Sequence, residues 1–430
     1  MAVDDLHVII LGAAGVWHEA DPPLVVDADA PLAYAVAKEG LKAIRGRGMV
    51  HKVSKSSQEF TKVHKLFGSS QKLWYDWVEA VSMTTKNPFS VTFGKEPKEI
   101  ISRKEELSEV YGSLSEGLSN DEVFIISGAR GSGKTVAMTT IGDYYREQQG
   151  WVVVDLNPEG DLLEQLASKI IDQGRMKRLF LKAEFNFSFK GLGFSLSGER
   201  PLENISSLLS KELEHLKSKG TRLLITIDEI SPNQNIRIFV HEFQAFLRAK
   251  YDVFLVMAGL YQNVSSFTHQ RSVTFLCRAP KIILRPLNLM AIAHSYAKIF
   301  DLDEDSSAKL AKFTKGYAYA YQLLGDILFI SGEHSLTEDI VRKFDETIYE
   351  RAYSIVYKEL SPREKAILMA SLDDNSNKSV MEKTGMSKSQ LSNYKSILAK
   401  KGLIEERSKE IVFALPRFKE FLSFMRSMEE

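Results

Sequence analysis

Residues 123–135 read VFIISGARGSGKT, and Gly128, Gly133, Lys134 and Thr135 fit the spacing G-x-x-x-x-G-K-[ST]. The chemistry that this spacing serves is the binding of a polyphosphate. Gly128, Gly131 and Gly133 can reach backbone angles closed to other residues, so the amides of the stretch Gly128, Ala129, Arg130, Gly131, Ser132 and Gly133 can turn inward around phosphate oxygens. Lys134 brings a cation to the outer phosphates, and Thr135 offers a hydroxyl to a Mg²⁺ ion that travels with them. A second chemical stretch, LLITIDEI at residues 223–230, is an apolar run that ends in two acids. A phosphate loop needs a carboxylate at the end of a neighbouring strand to hold the metal, and Asp228 fits that place.

These residues act only if strands and helices hold them together. Residues 123–126 are four apolar residues in a row, two of them β-branched, and predict a buried parallel strand. A helix follows over residues 136–148, its N-terminal dipole favouring the same anion. Further buried strands are predicted at 151–156, 223–230, 251–257 and 281–284, with an amphipathic helix over 161–172. Alternating strands and helices predict an α/β fold with a parallel sheet of five strands between helices. Phe185, Phe187 and Phe189, a KGLG turn, then Leu192, Phe194 and Leu196 alternate as in a β-hairpin whose aromatics cover a core face.

Composition narrows the remaining classes. Lys plus Arg and Asp plus Glu are 56 each in 430 residues, so no global field points to a nucleic acid or membrane, and charge has to be read locally. The single cysteine, Cys277, excludes an internal disulfide and reads as a small core residue. The early apolar run at residues 8–17 is half of what a bilayer crossing needs and no basic stretch precedes it, which predicts a cytoplasmic protein without a membrane partner. Residues 42–72 carry eight basic residues against the single acid Glu59, which suits either an arm on phosphates or a solvated helix.

Residues 87–107, NPFSVTFGKEPKEIISRKEEL, lead into the phosphate-loop strand. Pro-Phe, then apolar-x-Arg-x-x-Glu-Leu, then that strand resembles the entry to the AAA+ ATPase module, in the branch shared by origin-initiator ATPases and their bacterial and archaeal relatives. The resemblance spans residues 88–420 and implies ATP as the nucleotide and its hydrolysis with Mg²⁺. It places Phe93, Ile100, Ile101 and Arg103 beside the adenine and gives Glu229 the task of orienting and deprotonating the attacking water. It further implies that Arg278, with Arg285 nearby, reaches the γ-phosphate of a neighbouring subunit, which would require a homo-oligomer; a monomer that assembles on its target is equally compatible. At the tip of the strand over 251–257 this family carries a polar sensor; here stand Ala258 and Gly259, so either Gln262 or Asn263 substitutes or the sensor is missing. The lid helix around 316–325, GYAYAYQLLG, lacks the arginine that initiators often carry, which leaves tight lid closure over the nucleotide, and efficient turnover with it, open.

Residues 361–430 look like a winged helix: a capped helix from Ser361, a helix near 380–383, a turn at 384–386, a Ser387-capped helix to 400 and a two-stranded wing over 402–414. If the module reads DNA, Lys388, Gln390, Asn393 and Lys395 would face the major groove while Arg407 and Lys409 meet phosphate. Thirteen basic residues against ten acids in this stretch leave docking to a protein partner open. The expected organisation is an N-terminal extension over 1–87, a nucleotide-binding core over 88–287, a helical lid and connecting helix over 288–360, and the winged helix-turn-helix over 361–430.

Overall fold

Two strands carry the chemistry, and the sheet is ordered so that a third lies between them. In the computed structural model the strands are β1 (Val123–Gly128), β2 (Trp151–Leu156), β3 (Arg222–Ile227), β4 (Val253–Leu260) and β5 (Lys281–Ile283), all parallel, in the order β2-β3-β4-β1-β5. The register pairs Ile227 of β3 with Met257, and Gly128 of β1 with Leu260, so the acidic end of β3 and the glycine end of β1 meet at the same edge. Period two along β1 sends Val123 and Ile125 into the core on one face of the sheet, and Phe124 and Ile126 into the core on the other. Both cores are sealed by helices, which is why these strands read as unbroken apolar runs.

The structure describes residues 87–91, 97–116, 121–173, 205–268, 271–406 and 409–429. The basic segment 42–72, Phe93, the expected hairpin at 184–198 and Arg407 lie outside them. The chain divides into two compact units, residues 1–88 with 328–333 and residues 89–327 with 334–430, and every contact discussed below belongs to the second.

In chain order the helices are α1 (Ser108–Tyr111), α2 (Lys134–Arg146), α3 (Leu162–Gln173), α4 (Ile205–Ser218), α5 (Gln234–Arg248) and α6 (Tyr261–Thr268) around the sheet. Helix α2 buries Met138, Ile141 and Tyr145, the last ring lying 4.4 Å from Trp151 at the start of β2. Helices α7 (Leu289–Phe300), α8 (Glu304–Thr314) and α9 (Ala318–Ser331) follow, then α10 (Glu338–Ile348), which runs through a π-helical turn at Tyr349–Tyr353 into α11 (Ser354–Lys358). Asn288 and Asp303 cap α7 and α8 by accepting bonds from the first-turn amides.

Beyond them lie α12 (Pro362–Ala370), α13 (Asn377–Thr384), α14 (Lys388–Lys400) and α15 (Phe418–Glu429). Ser361 and Ser387 each close a capping box, with Glu364 and Gln390. In place of two full strands, residues 402–414 form a narrow antiparallel pairing: the Ile404 and Phe413 bridge, with Glu405 N–H donating to Val412 O at 2.8 Å and Ala414 N–H to Leu403 O at 3.0 Å. Cys277 is exposed rather than a core residue, its thiol donating to Thr268 O at 2.7 Å. No helix among the described residues is long and apolar enough to cross a membrane.

Candidate functional site

The loop from Gly128 to Gly133 turns because two of its glycines adopt left-handed angles, Gly131 at φ +73° and Gly133 at φ +89°. Gly133 is the N-cap of α2, so the loop delivers its amides to a helix N-terminus. At Gly131 the need is also steric: a Cβ there would lie 2.3 Å from the Tyr317 hydroxyl and 3.0 Å from Tyr319 Cβ. Tyr317 is buried and donates to Arg130 O at 2.9 Å, and Tyr319 N–H donates to Gly131 O at 3.1 Å, so the N-terminal turn of α9 grips the loop from outside.

Lys134 Nζ donates to Gly128 O at 3.2 Å and Ala129 O at 2.8 Å. Removal from water lowers its pKa to about 8; Asp228 and Glu229 pull it up again and Arg130 pushes it down. Thr135 Oγ1 donates to Asp228 Oδ2 at 2.6 Å, which joins the start of α2 to the residue just past β3. Glu229 follows at φ +54°, its amide donating to Asp228 Oδ1 at 2.8 Å, and its exposed side chain lines the same cavity. The bend turns Glu229 away from the strand path, and Ile230 N–H then rejoins the sheet at Ala258 O, 2.9 Å away.

The cavity around these groups measures about 2060 Å³ and also takes in Ile100, Ile101, Asn263 and Gln322. Ile100 and Ile101 thus stand at this cavity. Arg103 does more than line it. Its guanidinium donates to Ser132 O at 2.8 Å and Arg285 O at 2.9 Å and pairs with Glu106, so it clamps the back of the phosphate loop. Gln322 joins residues 90 and 99 to α9: its Oε1 accepts from Ser90 N–H at 3.0 Å and its Nε2 donates to Glu99 O at 2.8 Å. Of the two substitutes considered for the polar sensor, Asn263 lines the cavity and Gln262 does not. Arg278 is exposed just past the 3₁₀ turn Arg271–Cys277 and does not line this cavity.

Of the six base- and phosphate-reading candidates in the C-terminal segment, five lie among the described residues. Lys388, Asn393 and Lys409 are exposed. Gln390 is occupied in the cap, its Oε1 accepting from Ser387 N–H at 2.9 Å, and Lys395 Nζ donates to Asn377 Oδ1 at 2.8 Å and Glu410 O at 3.1 Å. Gln390 is itself exposed, whereas Lys395 is half-buried and its ammonium is held within the module.

A Walker-type ATPase of Pyrococcus abyssi superposes on the chain with a TM-score of 0.56 at 16% identity, covering 78% of this chain and 99% of that one. The chain shares the fold of that Walker-type ATPase, with its own five-stranded parallel sheet between helices. The ORC2 protein of Aeropyrum pernix, in its ADPNP–ADP complexes, also aligns, at 16% identity and a TM-score of 0.49 over 79% of this chain and 98% of the other. Cdc6p of Pyrobaculum aerophilum aligns at 16% identity and a TM-score of 0.42 over 79% and 97%. A family model described as a domain of unknown function (DUF8462) matches residues 350–422. No curated protein matches the chain. The site lies where an open parallel sheet offers its strand ends, and the residues that sequence spacing missed, Tyr317, Tyr319, Gln322 and Arg351, all come from the helical segments after the sheet.

Proposed function

We propose that the chain binds ATP with Mg²⁺ in this cavity, hydrolyses it, and couples the nucleotide state to the binding of DNA or a protein partner through its C-terminal module. The observation that carries the reading is the Thr135 to Asp228 bond beside a desolvated Lys134. It brings a hydroxyl and a carboxylate within 2.6 Å of one another at the mouth of a left-handed glycine loop. The residues present fit the group: the Ser132 hydroxyl is buried without a partner, which suits a phosphate acceptor, and the Thr135 and Asp228 oxygens suit a hard cation. When bound, Mg²⁺ would neutralise phosphate charge and act as a Lewis acid on it.

The chain's own residues do the rest. The loop amides and Lys134 hold the β- and γ-phosphates, with the ammonium exchanging its two carbonyl partners for phosphate oxygens. Ile100 and Ile101 supply apolar surface for the base, and Arg103 keeps the loop closed behind it. Glu229 accepts a proton from the attacking water. Arg278 acts on a neighbour's site in a homo-oligomer, where a cation would offset charge developing on the transferred phosphoryl.

For the C-terminal module we read α12 to α14 and the pairing after them as a winged helix, with Lys388, Asn393, Lys409 and Arg407 as the residues for DNA. The internal bonds of Gln390 and Lys395 favour a second reading, a slow nucleotide-dependent switch whose module docks a protein partner. Hydrolysis measured with and without mixed double-stranded DNA at two salt concentrations separates the two. Stimulation that fades with salt supports DNA coupling, and a rate indifferent to DNA supports the protein partner.

A further inference from the structure

The cavity is lined by five basic residues, Arg103, Lys104, Arg130, Lys134 and Arg351. Three of them already have partners. Arg103 is bound to Glu106 and to the Ser132 and Arg285 carbonyls, Arg130 Nη2 pairs with Glu359 at 3.2 Å, and Lys134 lies on the loop carbonyls. Lys104 sits beside Arg103 on the base-side box. Arg351 comes from the other direction, on the π-helical turn Tyr349–Tyr353 with which the matched segment 350–422 begins.

Two features fix where Arg351 stands. Its neighbours Ala352 and Tyr353 are buried, and Tyr353 donates to Pro416 O at 2.5 Å and packs edge-on to Phe418 at 5.1 Å, so the turn is anchored in the C-terminal core. Its guanidinium donates to the Tyr319 hydroxyl, while Tyr319 N–H holds Gly131 O of the phosphate loop. Among the described residues Arg351 has no carboxylate partner. A cation on a rigid turn, held by a neutral hydroxyl one residue's reach from the loop, gains strongly from exchanging that hydroxyl for a phosphate oxygen.

Resting on the nucleotide reading above, we propose that Arg351 binds the terminal phosphate of a nucleoside triphosphate held by the loop. The occupant of that position is the group that distinguishes a triphosphate from a diphosphate. Arg351 thus links the entry to the C-terminal module with the state of the nucleotide, and the same module adds two further touches on the loop. Glu359 pairs with Arg130, and Gly402 lies so close that a Cβ on it would come within 2.7 Å of Ala129 Cβ.

The test is calorimetric titration of the full chain with Mg²⁺ and either ADP or a non-hydrolysable ATP analogue, on wild type, Arg351→Ala and Arg351→Lys. A charge-assisted bond predicts that Arg351→Ala loses about tenfold or more in affinity for the triphosphate analogue, with ADP affinity unchanged and partial recovery in Arg351→Lys. An unchanged ratio of the two affinities in Arg351→Ala overturns the proposal. So does an equal loss for both nucleotides with a lowered melting temperature, since a purely structural arginine would act that way. A wild type that binds neither nucleotide overturns the site reading itself, and this proposal with it.

Discussion

Lys134 makes nucleotide binding a proton-linked event. Desolvation holds its pKa at about 8, and a phosphate beside it would favour the ammonium, so the bound form keeps its proton to higher pH than the free form. Above about pH 8 the free protein must therefore take up a proton to bind, and affinity falls as pH rises. With a pKa of about 8, about nine-tenths of free sites carry the ammonium at pH 7 and about one-tenth at pH 9, so the Kd for ADP rises about tenfold across that range. A lysine at its ordinary value would change it by less than about 5%, and the phosphate's own proton, with a pKa near 6, is largely gone by pH 7. Folding responds with the matching sign. The unfolded chain keeps this proton to about 10.5 and the folded chain only to about 8, so the charged lysine costs stability at neutral pH, and that cost is relieved as pH rises between those values. Calorimetry of ADP binding at pH 7, 8 and 9, each in two buffers of different ionisation enthalpy, reads affinity and proton uptake together. A flat Kd with no uptake at pH 9 refutes the desolvated lysine.

Gly131→Ala should be worse than Gly133→Ala, although both sites have positive φ. At 131 the new methyl meets Tyr317 and Tyr319, whereas at 133 its nearest contact is Ala318 Cβ at 3.7 Å. Strain alone costs about 1–3 kcal/mol, so thermal melts should show both losses, with Gly131→Ala the larger and accompanied by weaker nucleotide binding. Lys401→Met tests the C-terminal module. Lys401 and Glu364 form an ion pair with side chains only 13% and 5% exposed. Burial pushes Glu364 up, but Lys401 and the bonds from Ser361 outweigh it and leave its pKa below the usual 4.5. That contribution is present above pH 4.5 and lost as pH falls through the lowered value. Losing the lysine strands a buried carboxylate, so the variant should lose about 3–5 kcal/mol by denaturant melts, and Glu364→Gln added to it should return part of the loss.

The parts of the site that were legible in the sequence are those set by local spacing. The loop from Gly128 to Thr135 has one workable geometry, and the β-branched runs of β2 and β3 can only be buried strands, so Asp228 and Glu229 fell at the right edge of the sheet. Ser361 and Ser387 were likewise readable as caps because a capping box spans three residues. The same box accounts for Gln390, which stands three residues after Ser387, the cap spacing, and whose side-chain oxygen accepts from the Ser387 amide. What stayed hidden depends on contacts far apart in the chain. Arg103 reaches Arg285 O, Tyr317 reaches Arg130 O, and Lys395 folds back on Glu410 O, and no periodicity marks any of these partners. Arg351 carried no signal at all, since its place follows from how the turn after α10 packs against the last helices.

The central claim is that Glu229 activates water for hydrolysis of a nucleotide held by Lys134, Thr135 and Asp228. The most direct measurement is steady-state ATP hydrolysis by wild type and Glu229→Gln, with ATP affinity measured on the same preparations. Loss of a general base should lower the rate by about 10²–10⁴ while ATP binding is retained, leaving the variant locked in the ATP-bound form. An unchanged rate in Glu229→Gln would contradict the assignment.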